Sequence, residues 1–235
     1  QFTYEAPAYS VNILRVDVEG VEIVEEETAE LPDPLVQYSF EAGNATDDSG
    51  NFQGTLQGGA SIVAMSDGNK ALYTGTANGN GFFDLGVDMA RQTLSALDAD
   101  YTMSVDIALH GIGNLQQYCW AYGFAAGTDQ YVGLVNSPNN TNWYYTIKDE
   151  ASTDAASRGG LSYGVWHNLT YVQDGEHGRL YVDGRLTGEV LVGQRPASMA
   201  DAITSAWIGR SPFEADALMA ETFFDNFRIY DSALD

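Results

Sequence analysis

Residues able to do chemistry are present in this chain, but their spacing does not assemble a catalytic unit. General acid–base work needs two carboxylates at a controlled separation. The nearest pair, Asp98 and Asp100, precedes an apolar run rather than lying within it, and Glu25–Glu27 sit in an acidic stretch near the start. Both read as solvated charge. The three histidines, His110, His167 and His177, are scattered, with no His-Glu-x-x-His or Cys-x-x-Cys spacing for zinc. No nucleophile elbow, phosphate loop or dinucleotide fingerprint occurs; Gly159-Gly160 lacks the lysine and helix such a loop requires. The single cysteine, Cys119, lies in Tyr118-Cys119-Trp120-Ala121-Tyr122 and reads as a small buried hydrophobe.

Two other groupings suit binding. Asp47-Asp48-Ser49-Gly50-Asn51 is a tight, acid-rich loop that would repel itself without a cation, and Asn78-Gly79-Asn80-Gly81 is a poorer candidate of the same kind. The ordinary alternative is an Asp/Asn turn closed by side-chain-to-backbone hydrogen bonds. Asn140-Thr141-Asn142-Trp143-Tyr144-Tyr145 sets flat aromatic faces beside amides. A pyranose needs that combination, with an apolar face to stack and hydroxyls to bond. Trp143 and Tyr145 flank a polar loop and are expected to be exposed, with Asn140 and Asn142 beside them. Tyr118, Trp120, Tyr122 and Phe124 alternate and read as one face of a strand, more core than platform. Trp166 and Trp207 read as core.

These residues are carried by strands. From Val36 onward the chain runs strand after strand: Val36–Glu41, Ala60–Ala64, Ala71–Thr74, Gly81–Leu85, Tyr101–Leu109, Tyr118–Ala125, Tyr131–Asn136, Trp143–Lys148, Trp166–Gln173, Gly178–Val182, Arg185–Val190, Ala206–Arg210 and Ala220–Ile229. Turn clusters separate them, and Asp183-Gly184 predicts a tight hairpin. A short helix is weakly signalled near Met89–Leu97. Many short strands at regular spacing imply a two-sheet sandwich of about 200 residues.

The 235 residues carry a net charge of −23, with 33 acidic against 10 basic side chains. Such a surface repels nucleic acid and anionic membranes, and no apolar run is long enough to span a bilayer. Metal cations and neutral ligands remain natural partners. Residues 1–34 differ from the rest: acidic, with one arginine, ending in Leu31-Pro32-Asp33-Pro34. Val16–Ile23 alternates apolar and acidic residues about Gly20, a half-buried strand pattern. This N-terminal extension could add to a sheet edge of its own domain or of an identical subunit.

Several segments of residues 35–235 together resemble the laminin-G-like, concanavalin-A-like jelly-roll family in its bacterial extracellular form. They are Leu35-Val-Gln-Tyr-Ser-Phe-Glu41, Asp48-Ser-Gly-Asn51, Asn69-Lys-Ala-Leu-Tyr-Thr-Gly75, Gly164-Val-Trp-His-Asn-Leu-Thr-Tyr171 with Gly178-Arg-Leu-Tyr-Val-Asp-Gly184, Trp207-Ile-Gly-Arg210 and Phe224-Asp-Asn-Phe-Arg-Ile-Tyr230. The resemblance implies an all-β, antiparallel two-sheet jelly roll. It also implies a structural calcium joining the early loop to the last strand, with oxygens from Glu41, Asp48, Asn51 and Asp225. Glucanases of this fold carry a Glu-x-Asp-x-x-Glu cluster on a strand, and none occurs here.

The expectation is therefore an extracellular or cell-surface recognition module without catalysis, binding a glycan or glycoprotein and stiffened by calcium. A structural subunit of a surface filament or layer, assembled through residues 1–34, is the alternative, and a glycan hydrolase comes third. The glycosylation sequons at Asn44, Asn139 and Asn168 support export weakly.

Overall fold

A computed structural model describes residues 31–110, 117–149, 151–156 and 159–234. The strand expected at Val16–Ile23 lies outside them, as does most of the extension it belongs to.

Two antiparallel sheets form a sandwich. The larger contains β1 (Val36–Tyr38), β3 (Ser61–Ala64), β4 (Lys70–Tyr73), β6 (Tyr101–Leu109), β11 (Trp166–Asp174), β12 (His177–Val182), β13 (Arg185–Leu191) and β15 (Thr222–Tyr230). Its order is β13-β12-β11-β6-β15-β4-β3, with β1 also paired to β15. The smaller contains β2 (Thr55–Gln57), β5 (Phe82–Asp84), β7 (Cys119–Ala125), β8 (Gln130–Asn136), β9 (Trp143–Asp149), β10 (Ala151–Ala156) and β14 (Ser205–Ile208). Its order is β10-β9-β8-β7-β14-β5-β2.

The core lies between the sheets, where period-two patterning points every second apolar residue inward. From β6 come Met103, Val105 and Ile107, all buried. From the facing sheet, Tyr122 and Phe124 pack on Phe227 with centroids 5.1 and 6.5 Å apart. Tyr145 lies flat on Tyr171, 3.5 Å between centroids, and its hydroxyl meets that of Tyr101 at 3.0 Å. Each such ring removed from water stabilises the fold by about 1.5–3 kcal/mol. Helix α1 (Val87–Leu94) closes one end, burying Met89, Ala90 and Leu94. The Arg91 guanidinium ties it down by donating to the Ile203 carbonyl at 2.9 and 3.1 Å.

The Asp183-Gly184 hairpin forms as its sequence demands: both residues adopt positive φ (51° and 72°) and join β12 to β13. Strands β2 and β10 carry no apolar alternation that announces them. Both are sheet edges, with only one neighbour to pack against.

Candidate functional site

The outer face of the seven-stranded sheet is organised by one irregularity in β7. Trp120 pairs with Val135 and Tyr122 with Leu134, so Ala121 is an extra residue between them. A bulge of this kind resets side-chain parity. The shared face expected of Trp120, Tyr122 and Phe124 is corrected accordingly: Tyr122 and Phe124 enter the core, and Trp120 turns to the outside. Two glycines make room for it. Gly123 and Gly133 stand opposite each other, and a Cβ at either would lie 2.8 Å from the Trp120 ring. The indole therefore lies over bare backbone.

Cross-strand rows build the rest. Trp120, Val135 and Tyr144 form one row, and Gly123, Gly133, Thr146 and Asp154 the next. Ala125, Tyr131 and Lys148 form a third. The segment after β14 folds over this face. Asp216 Oδ2 accepts the Trp120 indole N–H at 3.0 Å and the Ser211 hydroxyl at 2.6 Å. Phe213 sets its ring edge-on to Trp120 (5.6 Å) and to Tyr131 (5.3 Å). The outcome is an open hollow of about 380 Å³ lined by Tyr118, Trp120, Tyr131, Tyr144, Phe213, Asp154 and their neighbours. That lies at the small end of the roughly 300–1,000 Å³ usual for small-molecule sites. Trp120 is a floor, only 3% exposed, whereas Tyr118 is 49% exposed at the rim. Burial, foremost, pushes the Tyr131 hydroxyl upward in pKa, so it stays a neutral donor. Lys148 is committed beside the hollow, donating to the Thr128 carbonyl at 2.9 Å and to Asp129 at 3.3 Å.

The aromatic pair expected to be exposed is not. Trp143 is fully buried, and Tyr145 is a core ring. The cause is the turn ahead of them. Asn139 and Asn140 both take left-handed backbone (φ 62° and 52°), so β9 starts in the phase that points Trp143 and Tyr145 inward and Tyr144 outward. Asn140 is a buried bracket. Its Oδ1 accepts the Trp143 indole N–H at 2.9 Å and the Leu161 N–H at 3.1 Å, and its Nδ2 donates to the Leu161 carbonyl at 2.7 Å. Asn142 is half-buried, and its Oδ1 accepts from the Gly159 N–H at 3.3 Å. Trp166 and Trp207, expected in the core, are partly exposed. Trp207 lies on the outer face beneath the Arg210 guanidinium, 4.4 Å from its ring.

Of the four expected calcium ligands, Glu41 and Asp48 line one open hollow, whereas Asn51 lines the neighbouring one beside α1. Asp225 stands opposite Asp106 across β15 and β6, at a second bulge where Asn226 has φ 47°. Burial, then the charges of Asp106 and Glu41, push its carboxyl up to about 7. Asp48 Oδ1 accepts from the Ser39 hydroxyl at 2.9 Å, and Glu41 Oε1 from the Lys70 N–H at 3.0 Å. Asp47 is buried and closes its own turn, accepting from the Phe52 N–H at 2.6 Å and from Ser49. Among the described residues no three His, Cys, Asp or Glu side chains converge on one point. Cys119 is buried, with its thiol pushed up to about 12 by burial and then by Asp216. His167 sits 2.8 Å from Asp183 and accepts the Ser162 N–H at 3.1 Å.

The chain belongs to the concanavalin A-like lectin/glucanases superfamily: the family model matches residues 78–235. A search of curated proteins returns no match. Among solved structures the chain is similar to domain 4 of an extracellular arabinanase from Geobacillus stearothermophilus, solved with arabinotriose. The TM-score is 0.62 at 18% identity, covering 85% of this chain and 93% of that one. It is also similar to the binding domain of botulinum neurotoxin serotype D/C, with TM-score 0.64 at 12% identity over 86% of this chain and 49% of that one. A sialidase from Trypanosoma rangeli gives TM-score 0.58 at 14% identity, over 85% and 30%. The chain thus spans about half the toxin domain's length. These identities speak for the fold alone. No helix among the described residues is long and apolar enough to cross a membrane.

Proposed function

We propose that this protein is a non-catalytic carbohydrate-binding module of an extracellular surface, and that it holds its sugar in the hollow over Trp120. The observation that carries this reading is the Gly123–Gly133 pair. It leaves one cross-strand position on two adjacent strands bare and lets a tryptophan floor lie beneath a ring of tyrosines. Stacking on Tyr131, Tyr144 or Tyr118 suits the apolar face of a pyranose, and Thr146 and Asp154 offer partners for hydroxyls. The volume suits about one or two sugar rings. The carbohydrate named with the arabinanase domain supports the same class of ligand. A glycan panel tests the reading: binding by the intact protein that is lost in Tyr144→Ala supports it, and binding that survives this change removes the sugar from the hollow.

We also propose that calcium joins the loop after β1 to β15, drawing oxygens of Glu41, Asp48, Asn51 and Asp225 together from positions that do not converge without it. The donors are hard oxygens, as calcium requires, and a divalent cation would favour the ionised form of Asp225, which burial first and then the charges of Asp106 and Glu41 disfavour.

A further inference from the structure

The charged side chains that line the hollow, Asp154 and Asp216, share one sign. Asp154 is exposed on the edge strand β10, in the row with Thr146 and the two glycines. Asp216 stands at the opposite wall, held against the Trp120 indole. Among the described residues lining the hollow there is no Lys, Arg or His. Lys148 lies 5.9 Å from the Tyr131 ring centre and is already committed to Thr128 and Asp129. The aromatic faces add to the same field, because a ring's face carries the negative end of its quadrupole. A ligand entering here leaves water between two carboxylates and several aromatic faces, where electrostatic preferences are stronger than on an open surface.

We infer that the hollow selects its sugar by charge: it prefers a sugar bearing a free amine, accepts a neutral one more weakly and rejects one bearing a carboxylate, with Asp154 as the discriminating group. This rests on the proposed carbohydrate site and sharpens it. An ammonium substituent gains from Asp154 and from the ring faces. A uronate or sialate carboxylate faces like charge, with no Lys, Arg or His among the described lining residues to offset it. Asp154 can discriminate because its carboxylate is exposed at the rim, whereas Asp216 is held in its bonds to Trp120 and Ser211.

The test is calorimetric titration of the whole chain with three oligosaccharides of one length. One is a glucosamine oligomer with its amines charged, one its N-acetylated counterpart and one an oligoglucuronate. The expected order is amine over neutral by on the order of tenfold at low salt, with no measurable binding of the acid. Added salt narrows the gap. Asp154→Asn is expected to bring amine and neutral affinities together, lowering the amine's far more than the neutral sugar's. Asp201→Asn removes the same charge from an exposed site outside the hollow and is expected to leave the preference intact. Equal affinity for amine and neutral sugars, binding of the acid, or a preference that Asp154→Asn does not reduce would each overturn charge selection while leaving a sugar site standing. Failure of all three oligomers and of a broad neutral panel would remove the site itself and the selection with it.

Discussion

Trp120 and Asp216 lie 96 residues apart in sequence and are joined by one hydrogen bond of 3.0 Å, indole N–H to carboxylate. That bond fixes the segment after β14 over β7 and gives the hollow its wall. In Asp216→Ala the indole N–H and the Ser211 hydroxyl both lose their acceptor. The expected cost is about 1.5–3 kcal/mol in denaturant unfolding, as for a hydrogen bond to a charged group. Asp216→Asn keeps an oxygen in place and should recover much of the loss. Equal stability of the alanine variant and the parent would show that the bond does not anchor the segment.

The glycine pair offers a second test. A methyl at Gly133 would lie 2.8 Å from the Trp120 ring and 2.3 Å from the Tyr122 carbonyl oxygen. Backbone cannot yield as a flexible side chain can, so Gly133→Ala is expected to cost about 1–3 kcal/mol and to shift tryptophan fluorescence as the indole is displaced. Unchanged emission with unchanged stability would mean that the indole does not depend on the bare backbone below it.

Asn140 separates stability from binding. It clamps Trp143 and Leu161 from inside the molecule, and its backbone is left-handed. Asn140→Ala should lower stability by about 1–3 kcal/mol, since buried partners lose their bonds. Where the fold persists, sugar affinity should be retained. Loss of affinity at full stability would return Asn140 to the binding surface.

Asp225 makes stability depend on pH. Its carboxyl is raised from 3.8 to about 7, so between those values the folded protein holds a proton that the unfolded chain has released. Stability from this group is present on the acid side and is lost as pH rises through about 7. The melting temperature in the absence of divalent cations should fall between about pH 4 and pH 7 and level off above. Asp225→Asn should flatten that slope, by roughly a few degrees. Calcium should stabilise the parent more at the higher pH, where the carboxylate is ionised, and should do little for the variant. A parent indifferent to calcium at both values would dispose of the metal.

Much of the sandwich was legible in the sequence because its central strands carry clean alternation. Tyr101–Leu109 is a strand over its full expected length, and Trp166–Gln173 extends by one residue. The edges of the smaller sheet were not legible. Thr55–Gln57 and Ala151–Ala156 are short or small-residue segments whose strand character comes from a neighbour's hydrogen bonds. The site was misread for a related reason. Period-two reasoning gives the spacing of a strand's faces but not their phase, and here two local irregularities set the phase. The Ala121 bulge sends Trp120 outward, and the left-handed turn at Asn139 and Asn140 sends Trp143 inward. The one signal available was the placement of Gly123 and Gly133 inside otherwise apolar strands, which marks close approach of another group.

In the proposed site the tyrosines over Trp120 hold the sugar, and the buried pair on β9 does not touch it. The most direct measurement is titration calorimetry of a glycan-panel hit against the parent, Tyr144→Ala, Tyr131→Ala and Trp143→Phe. The two tyrosine variants are expected to lose on the order of tenfold in affinity or more, about 1.4 kcal/mol each, at near-parental stability. Trp143→Phe should lose stability and keep its affinity. Parental affinity in both tyrosine variants would remove the sugar from the hollow.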